Sequence, residues 1–143
     1  MDIETKNNLV GVLYLVKRAS PEGFLFRIKL QKMALLAKLE FDFPFSFNYE
    51  SHYYGPYSES LQIIVSACVK KGYIDENIIE FPNESYGFSY SLTQEGEKIL
   101  EKIISDRNDI KKLDELWEKY KDQSTASLVA RAKEVSGIKS RNE

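Results

Sequence analysis

Two groups of residues in this chain have types and spacing suited to recognition. Lys17, Arg18, Arg27, Lys29, Lys32 and Lys38 lie within one stretch, opposed in sequence only by Glu22. Cations at that density can neutralise phosphates and release the counterions held there, so the stretch is a candidate nucleic-acid face. The bland alternative is a solvated helix face. The second group, Tyr49, His52, Tyr53, Tyr54 and Tyr57, surrounds Gly55-Pro56. Tyr and His rings join an apolar face to a hydrogen-bonding tip, a composition that protein interfaces favour. His52, Tyr54 and Tyr57 are the residues expected to meet a protein partner. The alternative for them is a turn whose rings plug a gap between helices.

Catalysis and metal binding lack their residues. His52 is the only histidine and Cys68 the only cysteine. A metal site needs more ligands at workable spacing, and neither a nucleophile-base pair nor a glycine-rich phosphate loop is present. Asp75-Glu76 and Asp114-Glu115 are adjacent in sequence and diverge on a helix or strand. No enzymatic activity, cofactor or metal is expected.

Composition fits a folded domain, with 43% hydrophobic and 29% charged residues. The formal charge of −2 means that any nucleic-acid argument has to be local. The start, Met1-Asp2-Ile3-Glu4, lacks the basic and apolar regions of a signal peptide. No apolar run approaches the roughly 20 residues of a membrane span. A cytoplasmic location without membrane contact is expected.

The elements that must position these residues follow from periodicity. Leu9, Val12, Leu13 and Val16 recur at helical steps over 4–19, and Ser20-Pro21-Glu22-Gly23 ends that helix. Residues 27–40 form a second helix whose apolar face is too broad for one buried stripe. Phe43, Phe45, Phe47 and Tyr49 alternate with polar residues, which predicts an extended segment over 42–54, and Pro44 confines it to an edge. Ser58 caps a third helix that runs to about Lys71 and stops at Gly72. Strands over 73–81 and 86–92 form a hairpin. Thr93 opens a further helix. Two more helical stretches follow at 107–121 and from Ser124, ahead of a polar tail from Gly137.

That order, three helices, a hairpin and a Leu-Thr-capped helix, predicts a mainly α fold with a small β-hairpin: a winged helix-turn-helix over 1–105, with a helical extension over 106–143. Ile103, Ile110, Leu113, Trp117 and Tyr120 form an apolar stripe expected to join two copies into a homodimer. Packing within one chain is the alternative.

Lys29-Leu30-Gln31-Lys32, Tyr53-Tyr54-Gly55-Pro56-Tyr57-Ser58, Gly72-Tyr73-Ile74 and Leu92-Thr93-Gln94-Glu95-Gly96 occur in that order. With them, residues 9–100 resemble the YwgA-like group of small bacterial and archaeal proteins. They are more distantly similar to the Panacea domain of antitoxins, whose role as a protein-binding neutraliser implies a protein partner here.

Two functions are therefore expected in competition. The leading one is a winged-helix transcriptional regulator that binds double-stranded DNA through Arg27, Lys29, Lys32, Lys70 and Lys71. The rival is an antitoxin-like protein-interaction module without DNA binding. From Leu39 to Val69 there is no Lys or Arg at all, and the hairpin carries Asp75, Glu76, Glu80 and Glu84 with no basic residue. Both facts weigh against a DNA-reading third helix.

Overall fold

The computed structural model describes residues 1–143. Helix α1 (Ile3–Arg18) is followed by a short strand β1 (Leu25–Phe26) and helix α2 (Arg27–Phe41). A small ribbon of β2 (Glu50–His52) and β3 (Gly55–Tyr57) leads into α3 (Glu59–Lys70). The long hairpin of β4 (Ile74–Glu80) and β5 (Tyr86–Leu92) comes next, and α4 (Gln94–Ile104), α5 (Ile110–Tyr120) and α6 (Thr125–Ser136) complete the chain. The fold is α+β with a winged-helix-like layout. Side-chain caps begin four of the six helices, with Ser58 and Thr93 acting as the sequence expects: Ser58 Oγ accepts from Leu61 N at 3.1 Å and Thr93 Oγ1 from Gly96 N at 3.0 Å. Asp2 and Ser124 do the same for α1 and α6.

The hairpin is part of a three-stranded antiparallel sheet in the order β1-β5-β4. β4 and β5 pair from Ile74↔Leu92 to Glu80↔Tyr86, and β1 adds Leu25↔Tyr90 and Phe26↔Ser89. Tyr90 and Ile74 point into the core, so the ribbon is anchored on the helices at its base. At Gly96 a Cβ would lie 2.1 Å from the Tyr73 carbonyl oxygen. Only glycine lets α4 start that close to the root of the hairpin.

The extended segment over 42–54 forms strand only at β2, which pairs with β3 and with neither strand of the hairpin. Its alternation nevertheless reports burial. Phe43, Phe45 and Phe47 all reach the core, with Phe43 and Phe45 ring centroids 4.7 Å apart. Burying each ring contributes about 1.5–3 kcal/mol. Phe45 lies so close to α1 that a Cβ on Gly11 would meet its ring at 2.2 Å. Asn8 secures the segment to α1, donating to Ser46 Oγ at 2.8 Å and accepting from Ser46 N at 3.0 Å.

One core runs through residues on both sides of position 105. Leu113, Leu116, Trp117 and Tyr120 of α5 and Leu128 of α6 join the same cluster as Val12, Leu30 and Leu61. Ile103 and Ile110 pack against it, half-buried. The stripe expected to join two copies is therefore used inside the chain. Of the residues expected at a dimer seam, Leu113, Trp117 and Tyr120 are buried in the chain's own core, while Ile103 and Ile110 stay half-buried at its edge. Glu40 ties the three helices together, accepting from the Tyr120 hydroxyl, from Lys119 Nζ at 3.0 Å and from Arg131 Nη2 at 2.9 Å. Burial pushes this carboxyl up, but those three donors outweigh it and hold it below the usual carboxylate range. No helix is long and apolar enough to cross a membrane.

Candidate functional site

The basic cluster meets acids from distant parts of the chain. Lys17 lies 3.7 Å from Glu97, while Arg18 pairs with Glu118 at 2.8 Å and Asp114 at 3.6 Å. Arg27 stacks 3.9 Å over the Phe88 ring, pairs with Glu76 at 3.0 Å and donates to the Tyr90 hydroxyl at 2.7 Å. Lys38 donates to the Phe47 carbonyl. Only Lys29 is left without an ion pair or hydrogen bond, beside Phe24 and Trp117 in a small hollow of its own. Lys70 and Lys71 are exposed at the far end of α3, about 17 Å along its axis from Glu59.

Lys32 is the clear correction. It is not a solvated phosphate contact but 2% exposed, with Nζ donating to the Pro56 carbonyl at 2.7 Å. α2 buries every residue from Leu30 to Ala37, so Lys32 lies on no solvated outer face of the helix and borders only a cleft beside the β2-β3 turn. Burial, with Lys133 nearby, pushes its ammonium down to about 8. Arg27, Lys29, Lys32, Lys70 and Lys71 thus do not share one basic surface.

The aromatic group does converge. A cleft of about 700 Å³ opens between the first turns of α2, the β2-β3 turn and the tip of the β4-β5 hairpin. His52, Tyr53, Tyr54 and Tyr57 line one wall, and Phe81, Tyr86 and Phe88 another. Arg27 and Lys32 come from α2 between them. Tyr53, Tyr54 and Tyr86 are 67%, 61% and 64% exposed. His52 stacks on Tyr57 with ring centroids 4.4 Å apart, and its Nε2 is 3.9 Å from Glu50.

This wall is held in place from behind. Gln31 Nε2 donates to the Ser58 carbonyl at 3.0 Å, and Ser58 N donates back to Gln31 Oε1 at 2.8 Å. Lys32 grips the neighbouring Pro56. The Lys-Leu-Gln-Lys and Tyr-Gly-Pro-Tyr-Ser motifs are therefore two halves of one contact. Gly55 turns the ribbon with φ +86°, a left-handed conformation that glycine adopts without strain. The C-terminal tail braces the outer side: Arg141 N donates to the His52 carbonyl at 2.7 Å, Ser51 Oγ donates to the Lys139 carbonyl at 2.5 Å, and the Arg141 guanidinium lies 4.9 Å over Tyr53.

Sequence reasoning placed His52, Tyr54 and Tyr57 but missed the hairpin's share of the site. Phe81 and Tyr86 flank the turn Pro82-Asn83-Glu84-Ser85, where turn chemistry has no use for large rings. That misfit is the signal that could have found them.

No family model matches this chain. It is 37% identical over 98 residues to a Bacillus subtilis (strain 168) protein described as "uncharacterized protein YwgA". The match covers 68% of this chain and 58% of that relative, so the chain spans little more than half of the relative's length. The resemblance to the YwgA-like group rests on this similarity as well as on the four ordered motifs.

Proposed function

We propose that this chain is a protein-interaction module that receives a segment of a partner protein in the cleft between α2, the β2-β3 turn and the hairpin tip. One observation carries the reading: exposed rings from two separate ribbons face a single cleft whose rear wall is fixed by buried hydrogen bonds. Rigid aromatic anchors around a preformed concavity give large contact area at low ordering cost. DNA binding by a transcriptional regulator is the weaker reading. Its five expected contacts include a buried lysine and an arginine already paired with Glu76, and the exposed wing is acidic.

Selection of displayed random peptides on the immobilised chain tests this. Peptides enriched by the wild-type chain are expected to be lost with the His52→Ala, Tyr54→Ala double variant while its circular dichroism and melting are unchanged. Enrichment indifferent to that variant would remove the reading. So would salt-sensitive duplex binding abolished by Arg27→Glu and Lys29→Glu.

A further inference from the structure

We propose that the cleft captures the C-terminal carboxylate of its partner, with Lys32 as the counter-charge and the partner's last side chain among the rings. The inference rests on the interaction-module reading and names the group that would be bound.

Lys32 is almost wholly buried and has no ion pair in the chain. Its ammonium carries three N–H donors, and its single acceptor is the Pro56 carbonyl. Buried charges are otherwise paired, because an uncompensated one is costly. Other charges bordering the cleft do not relieve it. Glu59 is exposed and Arg27 is engaged with Glu76, while Lys133 on α6, itself paired with Glu143 at 2.5 Å, brings no free acid to Lys32 and disfavours its charge. An incoming carboxylate supplies the missing acceptor and the missing charge together. The exposed rings at the mouth suit an aromatic or large aliphatic side chain on the same residue. Because Lys32 borders the cleft yet is almost wholly buried, a chain end can approach it end-on, whereas a side-chain carboxylate must bring backbone in from both directions. Carboxylate capture at a chain terminus is a known recognition mode.

Calorimetric titration of the full chain with three probes tests this: the tripeptide Ala-Ala-Phe with a free C-terminus, the same tripeptide as its amide, and Ala-Glu-Phe amide. The free acid is expected to bind about tenfold more tightly than either amide, as a charge-assisted bond implies. Because the ligand carboxylate favours the ammonium form of Lys32, binding near pH 8.5 is expected to take up protons, read from buffers of different ionisation enthalpy. That uptake should vanish in Lys32→Met and persist in Lys70→Met, which changes an exposed lysine outside the cleft. Equal binding of acid and amide without proton uptake overturns the carboxylate inference and leaves the groove reading standing. Ala-Glu-Phe amide matching the free acid overturns the chain-end assignment. Binding of none of the three overturns both. Should Lys32→Met fail to fold, proton uptake by the wild-type chain with the acid but not the amide still decides the matter.

Discussion

The ammonium nitrogen of Lys32 on α2 sits 2.7 Å from the carbonyl oxygen of Pro56 in the β2-β3 ribbon, with no acid to balance its charge. Burial lowers its affinity for a proton from an ordinary value of 10.5 to about 8. Between those values the unfolded chain holds a proton that the folded chain has lost, so stability rises with pH through this window. The stability of the wild-type chain relative to Lys32→Met is therefore expected to increase from pH 7 to pH 9.5. Denaturant midpoints at several pH values measure it, and a pH-independent difference would show that Lys32 is not held in this environment.

Glu40 has the opposite sign. Its carboxyl is held below the usual range in spite of burial, so its contribution is present above the unfolded value and is lost as pH falls through the folded one. Glu40→Gln is expected to lower stability by about 1–3 kcal/mol at pH 7, the size of hydrogen bonds to a charged group. The difference from wild type should close on acidification. Parallel acid unfolding curves for the two proteins would contradict this.

Trp117→Ala is expected to destabilise the chain by about 3–5 kcal/mol through the cavity left between α5, α2 and residues 24–26. The sedimentation mass of the wild-type chain should be unchanged in the variant. A variant of full stability but altered oligomeric state would return the stripe to an intermolecular role.

Gly96→Ala places a methyl against the backbone of Tyr73, which has no rotamer to move. Overpacking of this kind costs about 1–3 kcal/mol, and the hairpin root should lose hydrogen-exchange protection first. Unchanged protection at Ile74 and Leu92 would contradict the close approach.

Apolar periodicity locates most of the helices, while the long hairpin is marked by β-rich runs on either side of the Pro82-Asn83-Glu84-Ser85 turn, since β4 buries only Ile74. Two-residue β1 carries no period to read, and β2 is lost within an alternation that reports burial of Phe43, Phe45 and Phe47 rather than sheet pairing. The basic stretch misleads because Glu76, Glu97, Asp114 and Glu118, all far along the chain, reach it only in the fold. Lys32 sits in the middle of a helix too broadly apolar to have a solvated face, so its burial was legible in its neighbours but not in its own charge. An amphipathic stripe such as that around Trp117 looks the same whether its partner is the same chain or another.

The cleft as binding site is tested most directly by backbone amide chemical shifts of the full chain titrated with a selected peptide and, separately, with a short DNA duplex. The account predicts peptide-induced shifts confined to the first turns of α2, the β2-β3 ribbon and the hairpin tip around Phe81 and Tyr86, with no response to the duplex. Duplex-induced shifts at Lys29, Lys70 and Lys71, with the cleft silent to peptide, would contradict it.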